Sequence, residues 1–63
     1  MTVIGAEGNA WIQKKGDPYW NDNRKPDADG RVVFDGLPEG DYTAHSGSKQ
    51  QEFHLPGASE VRL

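Results

Sequence analysis

The chain contains no cysteine. No disulfide can staple it, and thiolate metal sites are excluded with it, which leaves only oxygen ligands or the two histidines. A basic block is missing as well. The net charge of -3 is spread along the sequence, so the electrostatic footprint of a nucleic-acid binder is absent and no nucleic-acid partner is expected. No apolar run approaches the length that crosses a bilayer, and Met1-Thr2-Val3-Ile4-Gly5 has neither the charged nor the apolar region of a signal peptide. A cytoplasmic product or a virion component is expected on that basis, with no membrane partner; a domain excised from a longer secreted chain would be extracellular.

Apolar residues are scarce too, at 33% of the sequence with a mean hydropathy of -0.88. Two Trp, two Tyr and two Phe nevertheless exceed what a disordered tail carries. The composition therefore predicts one folded domain over residues 1–63 with a thin core, because a chain this short buries only about 60% of its unfolded surface. Lacking disulfides, such a domain gains most from association with another chain.

Sustained helical periodicity is the next absence. Eight glycines and four prolines cut the sequence into short pieces, none of which holds an apolar repeat of 3.6 over three turns. What remains are strand-length runs with alternating or β-branched character: Thr2 to Ile4, Asn9 to Lys14, Arg31 to Phe34, Asp41 to Ser46, Lys49 to Leu55 and Ser59 to Leu63. The expected fold is all-β, a small antiparallel β-sandwich of about six short strands. Residues 15–30, polar and interrupted by Pro18, Pro26 and Gly30, read as one long loop with a brief extended piece at Tyr19 and Trp20.

Gly47-Ser48 has the form of a two-residue type II′ hairpin loop with Gly at the first central position. That turn fixes a register in which Ser46 faces Lys49, Ala44 faces Gln51 and Tyr42 faces Phe53 on the core side. The other side pairs Thr43 with Glu52, His45 with Gln50 and Asp41 with His54, a wholly polar and solvated set. The same alternation puts Val32 with Phe34 and Val61 with Leu63. Leu37, flanked by Asp35-Gly36 and Pro38-Glu39-Gly40, is expected to plug the end of the core. In the second strand Ala10 and Ile12 share one face and Trp11 and Gln13 the other, and size alone does not choose between them.

The run Asp27-Ala28-Asp29-Gly30-Arg31-Val32-Val33-Phe34-Asp35-Gly36-Leu37-Pro38-Glu39-Gly40-Asp41-Tyr42-Thr43 resembles the central motif of prealbumin-like sandwich domains. That group includes carboxypeptidase regulatory-like domains and collagen-adhesin B-type repeats. Its pattern is a Gly before an alternating strand, a Gly-Leu-Pro-x-Gly turn, and a Tyr opening the next strand. Gly8-Asn9-Ala10-Trp11-Ile12 is similar to the preceding strand of the family, which favours Ala10 and Ile12 as the buried pair. The resemblance implies an Ig-like, prealbumin-like sandwich and says little about function. Many adhesin repeats carry a Lys–Asn or Lys–Asp isopeptide bond between first and last strands. Lys14 and Lys15 could stand at the first position, but Ser59 to Leu63 holds neither Asn nor Asp, so no crosslink is expected.

No catalytic constellation emerges. The serines read as turn residues, and His45 and His54 share a face but lie four residue pairs apart, about 14 Å at 3.4 Å per residue. Asp27-Ala28-Asp29-Gly30 is not an EF-hand loop, since Lys25 and Gly36 would fall at its first and last ligand positions; it reads as a turn in which Asp accepts backbone N–H bonds. No enzyme, metal or cofactor is therefore predicted. Tyr42, Phe53 and Phe34 are accounted for by the core, whereas Trp11, Tyr19 and Trp20 have no obvious interior place. Either the loop folds back and covers one edge with Tyr19 or Trp20, or Trp11, Tyr19 and Trp20 form an exposed partner anchor rimmed by Arg24 and Lys25. The leading expectation is a non-enzymatic structural module decorating a larger assembly such as a bacteriophage capsid or tail, where multivalent docking adds stability. The alternative is a carbohydrate-binding or adhesive domain of a secreted or cell-surface protein, with sugar rings stacked on Trp11, Tyr19 and Trp20 and hydrogen-bonded by Asp22 and Asn23.

Overall fold

A computed structural model describes the backbone of residues 1–63 and the side chain of every residue except Pro18. The chain is all-β, with seven short strands: β1 Thr2–Ile4, β2 Ala10–Lys14, β3 Asp17–Arg24, β4 Arg31–Val33, β5 Gly40–Ser46, β6 Lys49–Leu55 and β7 Glu60–Arg62. They form a three-stranded sheet of order β4-β1-β7 packed on a four-stranded sheet of order β3-β2-β5-β6. The larger sheet is antiparallel throughout. In the smaller one β1 is antiparallel to β4 but parallel to β7, a departure from the wholly antiparallel sandwich expected.

Period-two alternation supplies the core. Val3, Ala10, Ile12, Val32, Phe34, Tyr42, Ala44 and Val61 are buried, and Phe53, Leu37 and Trp20 are partly buried against them. Burying each large apolar side chain contributes about 1.5–3 kcal/mol. The β5–β6 hairpin has the register the turn predicts, from Ser46 opposite Lys49 through Tyr42 opposite Phe53 to Asp41 opposite His54. Gly47 has φ 59° and Ser48 is not left-handed, as a type II′ turn requires. The Tyr42 ring stacks on Phe53 at 5.4 Å between centroids, and its hydroxyl donates to the Pro38 carbonyl. Burial pushes the Tyr42 phenol above its usual pKa.

Ser46 is buried as well, and it is the polar residue that closes the far end of the sandwich. Its hydroxyl accepts from the Glu7 amide at 2.8 Å and donates to the Asn9 carbonyl at 3.3 Å, fastening the β1–β2 connection beneath β5. A buried hydroxyl satisfied in both roles avoids the desolvation cost that it would otherwise carry.

The stretch expected to be a loop is half strand. β3 pairs with β2 from Ala10 opposite Arg24 to Gln13 opposite Asn21, then skips three residues before Lys14 meets Asp17. Pairing overrides poor propensity here: β2 needs a partner on its free edge, and the extended chain supplies backbone donors and acceptors whatever its side chains. The skipped residues 18–20 form a bulge that turns Tyr19 out and Trp20 in. A true turn occupies only the end of the segment. Asp27 Oδ1 accepts from the amides of Asp29 at 2.9 Å and Arg31 at 3.0 Å, while the Gly30 amide donates to the Asp27 carbonyl. Gly30, at φ 75°, takes the left-handed position that ends the turn before β4. The Arg31 and Asp29 amides hold the Asp27 carboxyl below its ordinary pKa.

Candidate binding face

Strand alternation divides four of the five candidate partner-binding residues between two sides of the larger sheet. Trp20 lies inside, its ring edge-on to Tyr42 at 5.6 Å and 61°. The expectation that it anchors a partner gives way to the other reading, in which the segment folds back to cover an edge of the core. Arg24 also turns inward. Its guanidinium stands 5.4 Å from the centre of the Phe34 ring and donates to the Val33 carbonyl at 3.0 Å, to Asp35 and to Asp22. Those bonds, from Asp22 first and then Asp35, raise its pKa further. Arg24 thus clasps the seam between β3 and β4, and Asp22 orients it rather than facing outward. Lys25 is exposed just beyond the strand.

Trp11 and Tyr19 are left on the outer face, together with residues not singled out from the sequence. The registers of β3, β2, β5 and β6 place Asn23, Trp11, His45 and Gln50 in one row across the sheet, and Asn21, Gln13, Thr43 and Glu52 in the next. Trp11 and His45 stack at 5.2 Å with their planes 10° apart. Rings from adjacent strands that are parallel at this spacing stand up from the sheet, so the imidazole covers one face of the indole. His45 Nε2 is buried without a hydrogen-bond partner among the described residues.

Tyr19 is 93% exposed, against 58% for Val33. Gln13, Asn21, Asn23 and Gln50 are exposed, and none of their amides is hydrogen-bonded to another described side chain. Charged groups on this face pair off at one corner. Lys15 Nζ lies 2.9 Å from Glu52, which raises its pKa, and His54 Nδ1 lies 2.6 Å from Asp41. His45 could have been found earlier, because the β5–β6 register already set it on the wet face; pairing β2 with β5 would then have brought Trp11 to it.

Other places offer less chemistry. The His54–Asp41 pair supplies a base and an orienting carboxylate, yet both are about 60% exposed, where water screens the interaction. No three His, Asp or Glu side chains among the described residues converge to hold a metal ion. A shallow groove of about 550 Å³ opens at the end of the sandwich, walled by Met1, Phe34, Leu37 and Leu55 with Asp35 and Glu39 beside them. Leu37 therefore plugs the core only partly. Compared with family models, with curated proteins and with solved structures, the chain matches none.

Proposed function

We propose that this protein is a non-enzymatic binding module of a larger assembly, a virion or a cell surface, which docks through the outer face of its four-stranded sheet. The Trp11–His45 stack carries the reading. It is an ordered aromatic pair on the side of the sheet that the core does not use, with a buried ring nitrogen left unpaired. Tryptophan and tyrosine dominate binding hot spots because one rigid side chain buries a large amphipathic surface. The likeness of Asp27 to Thr43 to prealbumin-like sandwich domains supports a display role, since that fold serves widely as a presenting unit. A marginal 63-residue domain also gains from being held by a partner.

Co-sedimentation of the purified chain with virions and with cell envelopes of its source tests the proposal. The chain is expected to pellet with one of them. Trp11→Ala should weaken that binding about 30-fold or more, the effect of losing a hot-spot residue, and still melt cooperatively. Retention by neither particle, or unchanged binding by both Trp11→Ala and Tyr19→Ala, would overturn it.

A further inference from the structure

Resting on the docking reading, we infer that the ligand of this face is a neutral glycan, held on the outer side of the β2–β3 hairpin by Trp11, Gln13, Tyr19, Asn21 and Asn23. Three observations converge on that chemistry. The first is aromatic surface. Tyr19 is 93% exposed, and Trp11, stacked on His45 of β5, stands opposite Asn23 on the edge strand β3. An exposed aromatic ring suits the C–H face of a pyranose.

The second observation is the identity of the polar groups. The outward residues of the hairpin from Tyr19 to Asn23 and from Trp11 to Gln13 are all uncharged. Each carboxamide both donates and accepts, as each sugar hydroxyl does, so exposed amides pair with a polyol in either sense. A phosphorylated, acidic or basic ligand would find no opposite charge among these five side chains; the exposed Lys25 lies beyond the end of the strand. The nearby charges of Lys15 and Glu52 are paired with each other.

The third is what strand β3 is made of. Asn is among the residues that sheets disfavour, yet Asn21 and Asn23 occupy consecutive outward positions of a paired strand. On the inward side of the same strand Trp20, Asp22 and Arg24 all have structural partners. The outward asparagines have none among the described residues, so the fold does not account for them. Local sequence that opposes its own secondary structure is expected where a surface serves a ligand.

The test is titration of the isotope-labelled full chain with cellohexaose, maltohexaose and chitohexaose, each to the order of 10 mM so that weak single-site binding is seen. At least one is expected to shift the Trp11 indole N–H and the amides of β2 and β3 saturably. Asn21→Ala with Asn23→Ala should weaken that binding about tenfold or more, the loss of two net hydrogen bonds, and Trp11→Ala should abolish it. The double asparagine variant leaves every core contact in place, so it reports on the site even if Trp11→Ala unfolds. The inference is overturned if no oligosaccharide perturbs the face, if the shifts centre on the end groove, or if the double variant binds like the parent. Trp11-dependent sedimentation without any oligosaccharide response would keep the docking face and make its ligand a protein; loss of both responses would remove docking and glycan together.

Discussion

The two hairpins of the larger sheet meet the same requirement with different residues. In β5–β6 the inward positions include Tyr42, Ala44 and Phe53 and the outward ones are polar, so alternation alone states which side is dry. In β2–β3 only β2 speaks that language, through Ala10 and Ile12. Its partner turns Trp20, Asp22 and Arg24 inward, two of them charged, and satisfies them locally: Arg24 Nε and Nη2 bond Asp22 at 3.3 and 3.1 Å, and the guanidinium closes on Val33 and Asp35 across the seam. The difference teaches that β6 is held by pairing with β5 and by the partial burial of Phe53 and Leu55, whereas β3 is held by backbone pairing, one ring and an arginine clasp. The outward side of β3 is thereby released from any duty to the core.

Replacement of Tyr42 by Ala gives the largest expected effect. It removes a fully buried ring that touches both Phe53 and Trp20, together with the bond to Pro38, at a cost of about 3–5 kcal/mol. The whole domain holds about 3–9 kcal/mol at 0.05–0.15 kcal/mol per residue, so Tyr42→Ala should be unfolded or nearly so at room temperature by circular dichroism. Cooperative melting close to that of the parent would mean that burial does not hold β5–β6.

Trp20→Ala comes next, at about 2–3 kcal/mol in urea unfolding, because its ring is only partly buried and contributes edge contact as well as area. Tyr19→Ala, one residue away and in water, should stay within about 0.5 kcal/mol. Equal effects from these neighbours would erase the distinction between the two sides of β3.

Legibility in the sequence follows the same division. The β5–β6 register was readable to the residue because the Gly47-Ser48 turn and the apolar alternation agree. Val32 and Phe34 were readable as core for the same reason of period, whereas alternation alone left Ala10 and Ile12 undecided against Trp11 and Gln13, and only the likeness of Gly8 to Ile12 to a prealbumin-like strand favoured them. Strand β3 was not readable. Asp17-Pro18 and the pair Asn21 and Asn23 are residues that loops favour, and its inward Asp22 and Arg24 imitate a solvated surface unless their mutual bonding is known. The candidate site was half visible, since Trp11 and Tyr19 stood out as rings without a core position. Trp20 and Arg24 were grouped with them because nothing local reveals that a bulge rotates one neighbour out and the other in. His45, Gln13 and Asn21 escaped notice because they meet Trp11 and Tyr19 only through cross-strand pairing.

The smallest expected effect has the opposite sign. If Asn21 and Asn23 serve a ligand and not the sheet, then Asn21→Thr and Asn23→Thr should each stabilise the domain by a few tenths of a kcal/mol, within a β-propensity range of about 1 kcal/mol. Thr restores a β-branched residue to an outward position where there is no packing to disturb. The double variant should therefore unfold at a higher urea concentration with an unchanged slope, while losing its hold on whatever the parent binds. Stability traded against binding at two surface positions is the signature of residues kept for a partner. Destabilisation by the same pair of substitutions would show that the amides support the strand after all, and β3 would then have both of its sides committed to the fold.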